Sequence, residues 1–297
     1  MSKGFPGVSS RQPPRLRTFM NRAIELPQAM TPVNGSGNRV EAAIGAMRRE
    51  FAGNDWLLNE HWPLNEPHVR LMAMDLMDHF PPGRKVRLLD VGCANGYMSF
   101  IFSQLGYDVT GVDMSELPHR DALFARAGIN FVRANLNDAN PFQHLPAASF
   151  DIVIIAQVIE HVLNHPLGLL RQLTDAMRPG GAMILTTPTP ANVMNAVRTM
   201  RGRSLLWGTQ DFIDEPKFGE NGMISEAEIH YREYTSEEVR HLLEGAGLGV
   251  ERSRYLPFGS TRGQSAWKQL AKNNPLTRKL MTQRLFASNH YFLARKA

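Results

Sequence analysis

The chain has 297 residues, 43% of them hydrophobic and 21% charged, a globular composition long enough for about two domains or one domain with insertions. No apolar run approaches the roughly 18 residues that cross a bilayer, and the N-terminus lacks the apolar stretch of a secretory leader, so neither a membrane-spanning nor an exported protein is expected. Cys93 is the single cysteine, which excludes an intrachain disulfide and a cysteine-based zinc site and fits a reducing, cytoplasmic setting.

The net charge of +5 is unevenly spread. Residues 1–39 carry six Lys/Arg against one acid, and residues 252–297 carry ten against none. The centre holds 17 basic and 27 acidic residues. Two basic ends therefore flank an acidic middle, and such ends are candidate surfaces for anions.

Residues 1–39 are rich in Pro, Gly, Ser and Arg and read as a mobile basic tail, with one short helix near Thr18–Leu26. Residues 40–84 read as a helical N-terminal cap. It has an amphipathic helix over Val40–Phe51, an irregular aromatic stretch over Asn54–Pro67 and a helix over Glu66–Phe80, stopped by Pro81-Pro82-Gly83. From Val86 strands and helices alternate, the signature of a parallel sheet covered on both faces. The expected strands are Val86–Val91, Asp108–Val112, Asn130–Val132, Asp151–Ala156 and Ala182–Thr187. Helices are expected over Tyr97–Leu105, Glu116–Ala127 and Pro166–Met177. The rhythm breaks at about 190–230, a stretch with Trp207, Phe212 and Phe218 that reads as a lid insertion. It resumes with a capping box at Thr235 and a helix to Glu244. A strand over Leu248–Leu256, a mostly helical basic stretch over Gly263–Phe286 and a strand over His290–Ala294 complete the chain. The fold class is α/β: a doubly wound, Rossmann-like sheet, mostly parallel with a terminal antiparallel strand.

The stretch Val86–Ser99 organises the rest. A buried strand runs into Gly92-Cys93-Ala94-Asn95-Gly96 and then a helix, which aims backbone N–H groups at one point. Asp113 closes the second strand about twenty residues on, where a carboxylate reaches a ribose. The loop lacks the third glycine of a dinucleotide fingerprint and the Gly-Lys-Ser/Thr of a P-loop. It also holds no Lys or Arg to meet a phosphate, while Asp90 suits an ammonium. A ribose, an ammonium and no phosphate describe S-adenosylmethionine. The bland alternative is an ordinary Gly-rich turn with a helix-capping Asp.

This stretch resembles motif I of the class I SAM-dependent methyltransferases, of the small-molecule, methyltransferase type 11-like kind. Four further elements resemble the family in order: Phe150-Asp151-Ile152-Val153 with Gln157-Val158-Ile159-Glu160-His161-Val162; the turn Arg178-Pro179-Gly180-Gly181; Asn135-Leu136; and His230-x-Arg232-x-Tyr234-Thr235. The resemblance implies S-adenosyl-L-methionine as cofactor. Asp90, Gly92, Cys93, Ala94, Asn95, Gly96, Asp113, Met114, Asn135, Leu136 and Gln157 would hold it. Two departures from the pattern, Ala94 for a middle glycine and Asn135 for the usual Asp, keep the chemistry needed.

Methyl transfer to a hydroxyl needs alignment and a base. His161, at the carboxyl edge of strand four, and His230 are the candidate bases; each is otherwise a residue that orders its turn. Arg232, Tyr234 and Trp207 are candidate acceptor contacts, with Arg232 equally suited to an ion pair with a nearby Glu. Glu160-His161 lacks a third ligand at metal-binding spacing, so no metal is expected. The favoured acceptor is a small polar molecule, a sugar, glycan or lipid-linked metabolite, methylated on oxygen. The alternatives are an RNA substrate gripped by the basic ends, disfavoured because those ends have few interleaved aromatics, and a SAM-binding protein without turnover that lies on anionic membranes through Gly263–Phe286.

Overall fold

Seven strands form one sheet in the order β3-β2-β1-β4-β5-β7-β6. In chain order they are β1 Arg87–Val91, β2 Asp108–Asp113, β3 Asn130–Arg133, β4 Phe150–Ala156, β5 Met177–Pro188, β6 Leu248–Leu256 and β7 Asn289–Lys296. β1 to β5 are parallel, and β7 lies antiparallel between β5 and β6. The expected mixed sheet is thus present, with two antiparallel contacts at its far edge. This is a computed structural model, and it describes residues 36–81, 85–163, 165–205, 230–256 and 283–297. The expected helix near Thr18–Leu26, Trp207, Phe212 and Phe218, and the basic stretch over 263–282 lie outside the described residues.

The central strands are apolar without interruption because both their faces are covered. Side chains alternate across the sheet with period two. Leu88, Ile152, Ile154 and Ile184 point to one face, where they meet α1 (Ser36–Glu50), α2 (Trp62–His79), α3 (Tyr97–Gln104) and α4 (Pro118–Ala127). Leu89, Val153, Ile155 and Leu185 point to the other, onto α5 (Pro166–Ala176) and α7 (Ser236–Gly245). Each such side chain taken out of water contributes about 1.5–3 kcal/mol. The cap helices share the first of these cores: Val40, Ile44 and Met47 of α1 pack with Ile101 and Phe102 of α3. Buried Asp75 of α2 accepts from Tyr291 Oη on β7 at 2.7 Å and from Arg252 Nη1 on β6 at 2.7 Å. That pair of bonds pins the cap to the antiparallel edge.

Two local expectations are corrected, and the insertion gains an element of its own. The stretch Asn54–Pro67 is helical rather than irregular: a π-helical turn over Trp56–His61 leads directly into α2. Pro63 falls in the first turn of α2, where its missing N–H matters least, and Pro67 lies inside the helix. Arg178-Pro179-Gly180-Gly181 is no separate turn but an irregularity within β5. Met177 already pairs with Phe150, and regular pairing resumes at Ala182 with Ile152. Arg178 Nη1 donates to both oxygens of Asp151, each at 3.2 Å, which holds the bulge closed. Finally, the insertion after β5 opens with a helix, α6 (Val193–Met200), whose Asn192 caps it by accepting from Asn195 N.

The strand order reverses between β1 and β4, which creates the crevice at the carboxyl ends where ligands bind in open α/β sheets. The loops after β1, β2, β3 and β4 all open into it.

Candidate active site

The loop after β1 turns through three left-handed residues: Gly92 at φ +72°, Ala94 at φ +45° and Gly96 at φ +83°. Gly96 has no room for a side chain, since a Cβ there would lie 2.5 Å from Phe124 Cε1. Ala94 accepts left-handed strain that a glycine would avoid. Ala94 N donates to Asp113 Oδ2 at 2.9 Å, and Ser115 N donates to Asp113 Oδ1 at 2.9 Å. The carboxylate is thereby aimed from both sides and keeps lone pairs for a ligand.

Arg120 of α4, which sequence reasoning missed, supports this arrangement. It is fully buried, stacks over the Phe131 ring at 3.9 Å, and donates to Ala94 O at 3.1 Å and Ser115 O at 2.8 Å. It therefore ties the first loop to the second. Its only sequence signal is an arginine in an amphipathic helix, which ordinarily reads as solvent-exposed.

A cleft opens beside this loop. The structure brings seven of the expected cofactor residues to its walls: Gly92, Ala94, Asp113, Met114, Asn135, Leu136 and Gln157. Asn137 and His161 line it too. Its lining holds one carboxylate and no Lys or Arg, a donor set that fits a ribose without a phosphate. Gln157 sits at φ +56° and is held by Thr186, which accepts from its side chain at 3.2 Å. Asn135 Oδ1 caps its own turn by accepting from Asn137 N at 2.9 Å.

Four expected residues do not line the cleft. Cys93 packs into the core against Gly111, where burial pushes its thiol pKa up and leaves it unreactive. Gly96 caps α3, and Asn95 stands beside it with its Oδ1 buried and accepting no hydrogen bond from the protein. Asp90 is fully buried beneath the loop. Its Oδ2 accepts from Ser99 Oγ at 2.6 Å, and its Oδ1 accepts nothing. Burial pushes its pKa up to about 7, with the Asp113 charge adding and the Ser99 bond opposing.

At the end of β4 a 3-10 turn, Ile159–His161, presents Glu160 and His161. The His230 segment docks on it through a bond from Tyr231 N to Glu160 O at 2.8 Å. The two imidazoles consequently meet edge to face, 4.9 Å between centroids. Glu160 is fully buried; Thr187 Oγ1 donates to its Oε2 at 2.9 Å, and Oε1 accepts no hydrogen bond from the protein. Burial raises its pKa to about 7. His230 Nδ1 lies 3.3 Å from Glu233 Oε1, and that partner raises its pKa against the opposing effect of burial. Glu160, which the sequence offered only as half of a dipeptide, thus gains His230 as a neighbour from a segment seventy residues away.

The remaining acceptor candidates are dispersed. Arg232 Nη2 donates to Glu238 Oε1 at 2.5 Å and covers the Tyr234 ring at 5.2 Å. This is the ion pair that the sequence left open, and it locks the capping box of α7. Tyr234 is buried in the core beneath it. Trp207 lies outside the described residues.

Comparison with known proteins agrees with this geometry. A family described as "Methyltransferase domain" matches residues 63–253. The ubiquinone biosynthesis O-methyltransferase of Shewanella pealeana is 31% identical over 124 residues, which are 40% of this chain and 50% of that protein. The enzyme of the same name from Caulobacter sp. (strain K31) is 36% identical over 108 residues, 36% of this chain and 42% of that one. The chain thus spans half or less of the length of these relatives. In fold, it resembles the crystal structure of an S-adenosylmethionine-dependent methyltransferase from Mesorhizobium loti, with a TM-score of 0.51 at 18% identity, over 78% of this chain and 98% of that one. The family match takes in β1 through β5, most of β6 and every wall of the cleft, so the chain belongs to the class I SAM-dependent methyltransferases, with S-adenosyl-L-methionine as its cofactor.

Proposed function

We propose that the chain transfers a methyl group from S-adenosyl-L-methionine to a hydroxyl oxygen of a small polar acceptor, a sugar, a glycan or a lipid-linked metabolite, in a reducing cytoplasm. The observation that carries this reading is the position of His161. Its ring lines the same cleft as Asp113 and Asn135, so a group able to take a proton stands beside the cofactor's place. The names of the relatives, O-methyltransferases, support oxygen as the acceptor atom.

In this reading Asp113 receives the ribose hydroxyls, and the turn at Asn135 and Leu136 receives the adenine. Asp90 lies buried beneath the loop with one oxygen unbonded, and its charge is the one that favours the ammonium through the loop rather than by lining the cleft. The cofactor supplies an electrophilic methyl carbon. The chain's residues hold the acceptor oxygen in line with it and exclude water, and alignment of this kind accounts for much of the rate. Glu233 engages His230 Nδ1 and only His161 of the two lines the cleft, which leaves His161 as the ring that accepts the hydroxyl's proton. The test is incubation of the purified protein with labelled cofactor and fractionated extracts. We expect a fraction rich in hydroxylated metabolites to take up label, and His161→Ala to keep cofactor affinity while turnover falls at least 100-fold. Label appearing only on nitrogen or carbon, or unchanged turnover in the variant, overturns the reading.

An anionic membrane surface is the proposed partner for docking. α6 has no buried residue, exposes Val193, Met194 and Met200, carries Arg198 in its last turn and is followed by Arg201 and Arg203. Apolar and basic groups on one exposed helix suit an anionic interface. Among the described residues no helix is long and apolar enough to cross a membrane.

A further inference from the structure

We propose that Glu160, His161 and His230 form a binding site for one divalent first-row transition-metal cation at the acceptor end of the cleft. Each residue offers one ligand atom, and these three atoms lie within 4.8 Å of one another. Around a tetrahedral cation with bonds of about 2.1 Å, ligand atoms stand roughly 3.4 Å apart, so side-chain rotation on the order of an ångström closes the site. Two imidazoles and a carboxylate make a borderline donor set, suited to zinc, manganese, iron(II), cobalt or nickel rather than to calcium or magnesium.

A second observation points independently to a ligand. Glu160 Oε1 is buried and accepts no hydrogen bond, although its sister oxygen is held by Thr187. An unmet carboxylate oxygen in the interior is costly unless something positive meets it. The surroundings also have the form of a built site. Thr187 fixes the carboxylate, and Glu233 contacts His230 Nδ1, which leaves Nε2 as the ring's ligand atom. Outer partners of this kind orient metal ligands and set the histidine tautomer. The backbone bond from Tyr231 to Glu160 fixes the two segments together, and three protein ligands leave a position open toward the cleft that His161 lines.

The consequence for chemistry rests on the oxygen-acceptor reading above with one exchange of roles: a cation at this site takes the lone pairs of both imidazoles, and activation of the hydroxyl by the metal replaces proton transfer to His161. A hydroxyl bound at the open position has its pKa lowered, and its proton leaves to water. The oxygen then forms the new bond to the methyl carbon, and the carbon–sulfur bond breaks with its electron pair staying on sulfur.

The test uses the full chain, stripped with a chelator and dialysed, with Co²⁺ alone as the spectroscopic probe and Zn²⁺ alone in calorimetry. We expect one equivalent of Co²⁺ to give the visible bands of a four- or five-coordinate site. Glu160→Gln, His161→Ala and His230→Ala should each weaken binding at least tenfold, while the exposed His144→Ala should not. Retained cofactor binding in each variant shows that it is folded. Absence of stoichiometric binding, or binding that the three variants leave unchanged, overturns the proposal. Because the readout involves no acceptor, its failure is distinct from failure of the methylated-oxygen reading.

Discussion

Ala94 stands in the left-handed region at φ +45°, a conformation that favours glycine. Left-handed backbone costs an alanine about 1–2 kcal/mol. Replacing it by glycine removes that strain but loosens the unfolded chain by about 0.4–1 kcal/mol. The difference has a definite sign. Ala94→Gly should leave stability unchanged or raise it by up to about 1.6 kcal/mol in urea melts, with cofactor affinity within a few-fold of the parent. The same substitution in ordinary right-handed backbone costs about 0.5–1 kcal/mol, so a loss of that size would show that the loop does not hold this conformation in solution. The Ala94 N–H to Asp113 bond explains why the residue tolerates its φ: the backbone is turned by what it must reach.

At the scale of elements, the two loops that shape the cofactor cleft are joined through α4. Arg120 bonds to carbonyls of both and stacks on β3, all without solvent contact. Arg120→Met keeps the stem and removes the donors, leaving two carbonyl groups unmet at about 1–3 kcal/mol each. We expect a loss of about 2–4 kcal/mol in urea denaturation and a cofactor affinity weakened at least tenfold in calorimetry. Lysine should not rescue it, because one ammonium cannot span both carbonyls with the fixed fork of a guanidinium. A full-affinity variant would detach α4 from the site. This residue also marks where sequence reading stops. Strand one, the Gly-rich loop and Asp113 were legible because their spacing is local and their chemistry is written in residue type. Strands β4 and β5 were legible from apolar runs. Arg120 was not, because an arginine declares neither its burial nor its partners. Nor was the meeting of Glu160, His161 and His230, since it depends on a segment docking from seventy residues away through a backbone bond. The helical character of Trp56–His61 was hidden by the turn-forming prolines that follow, and the bulge in β5 by a Pro-Gly-Gly sequence that reads as a turn.

At the scale of the whole molecule, the buried ionisable groups of the site set how stability responds to pH. Asp90 has its folded pKa raised from the model-peptide range near 4 to about 7, chiefly by burial. Between those two values the native state keeps a proton that the unfolded chain has released, so stability falls as pH rises through that window. The slope approaches 1.4 kcal/mol per pH unit, and the full loss is on the order of 4 kcal/mol. His290 acts in the opposite direction. Its buried ring has its pKa lowered to about 4, again chiefly by burial, so its contribution is lost as pH falls from about 6.5 toward 4. Glu160, whose pKa burial also raises to about 7, adds a second falling slope from about pH 4.5 upward, so His290 offsets only one of the two and wild-type stability should still fall with pH between about 4.5 and 6.5. Asp90→Asn removes one of the two falling slopes, keeping an acceptor for Ser99 and no charge. Its stability relative to wild type should be near zero at pH 4 and climb by about 3–4 kcal/mol by pH 7.5, measured by urea titration at each pH. A difference that stays constant with pH would mean that Asp90 ionises in the folded protein as easily as in the unfolded one. The gain should come with weaker cofactor binding, because the uncharged amide no longer answers the ammonium. A carboxylate kept at such a cost in the apo protein is consistent with a site whose ligand brings the missing positive charge.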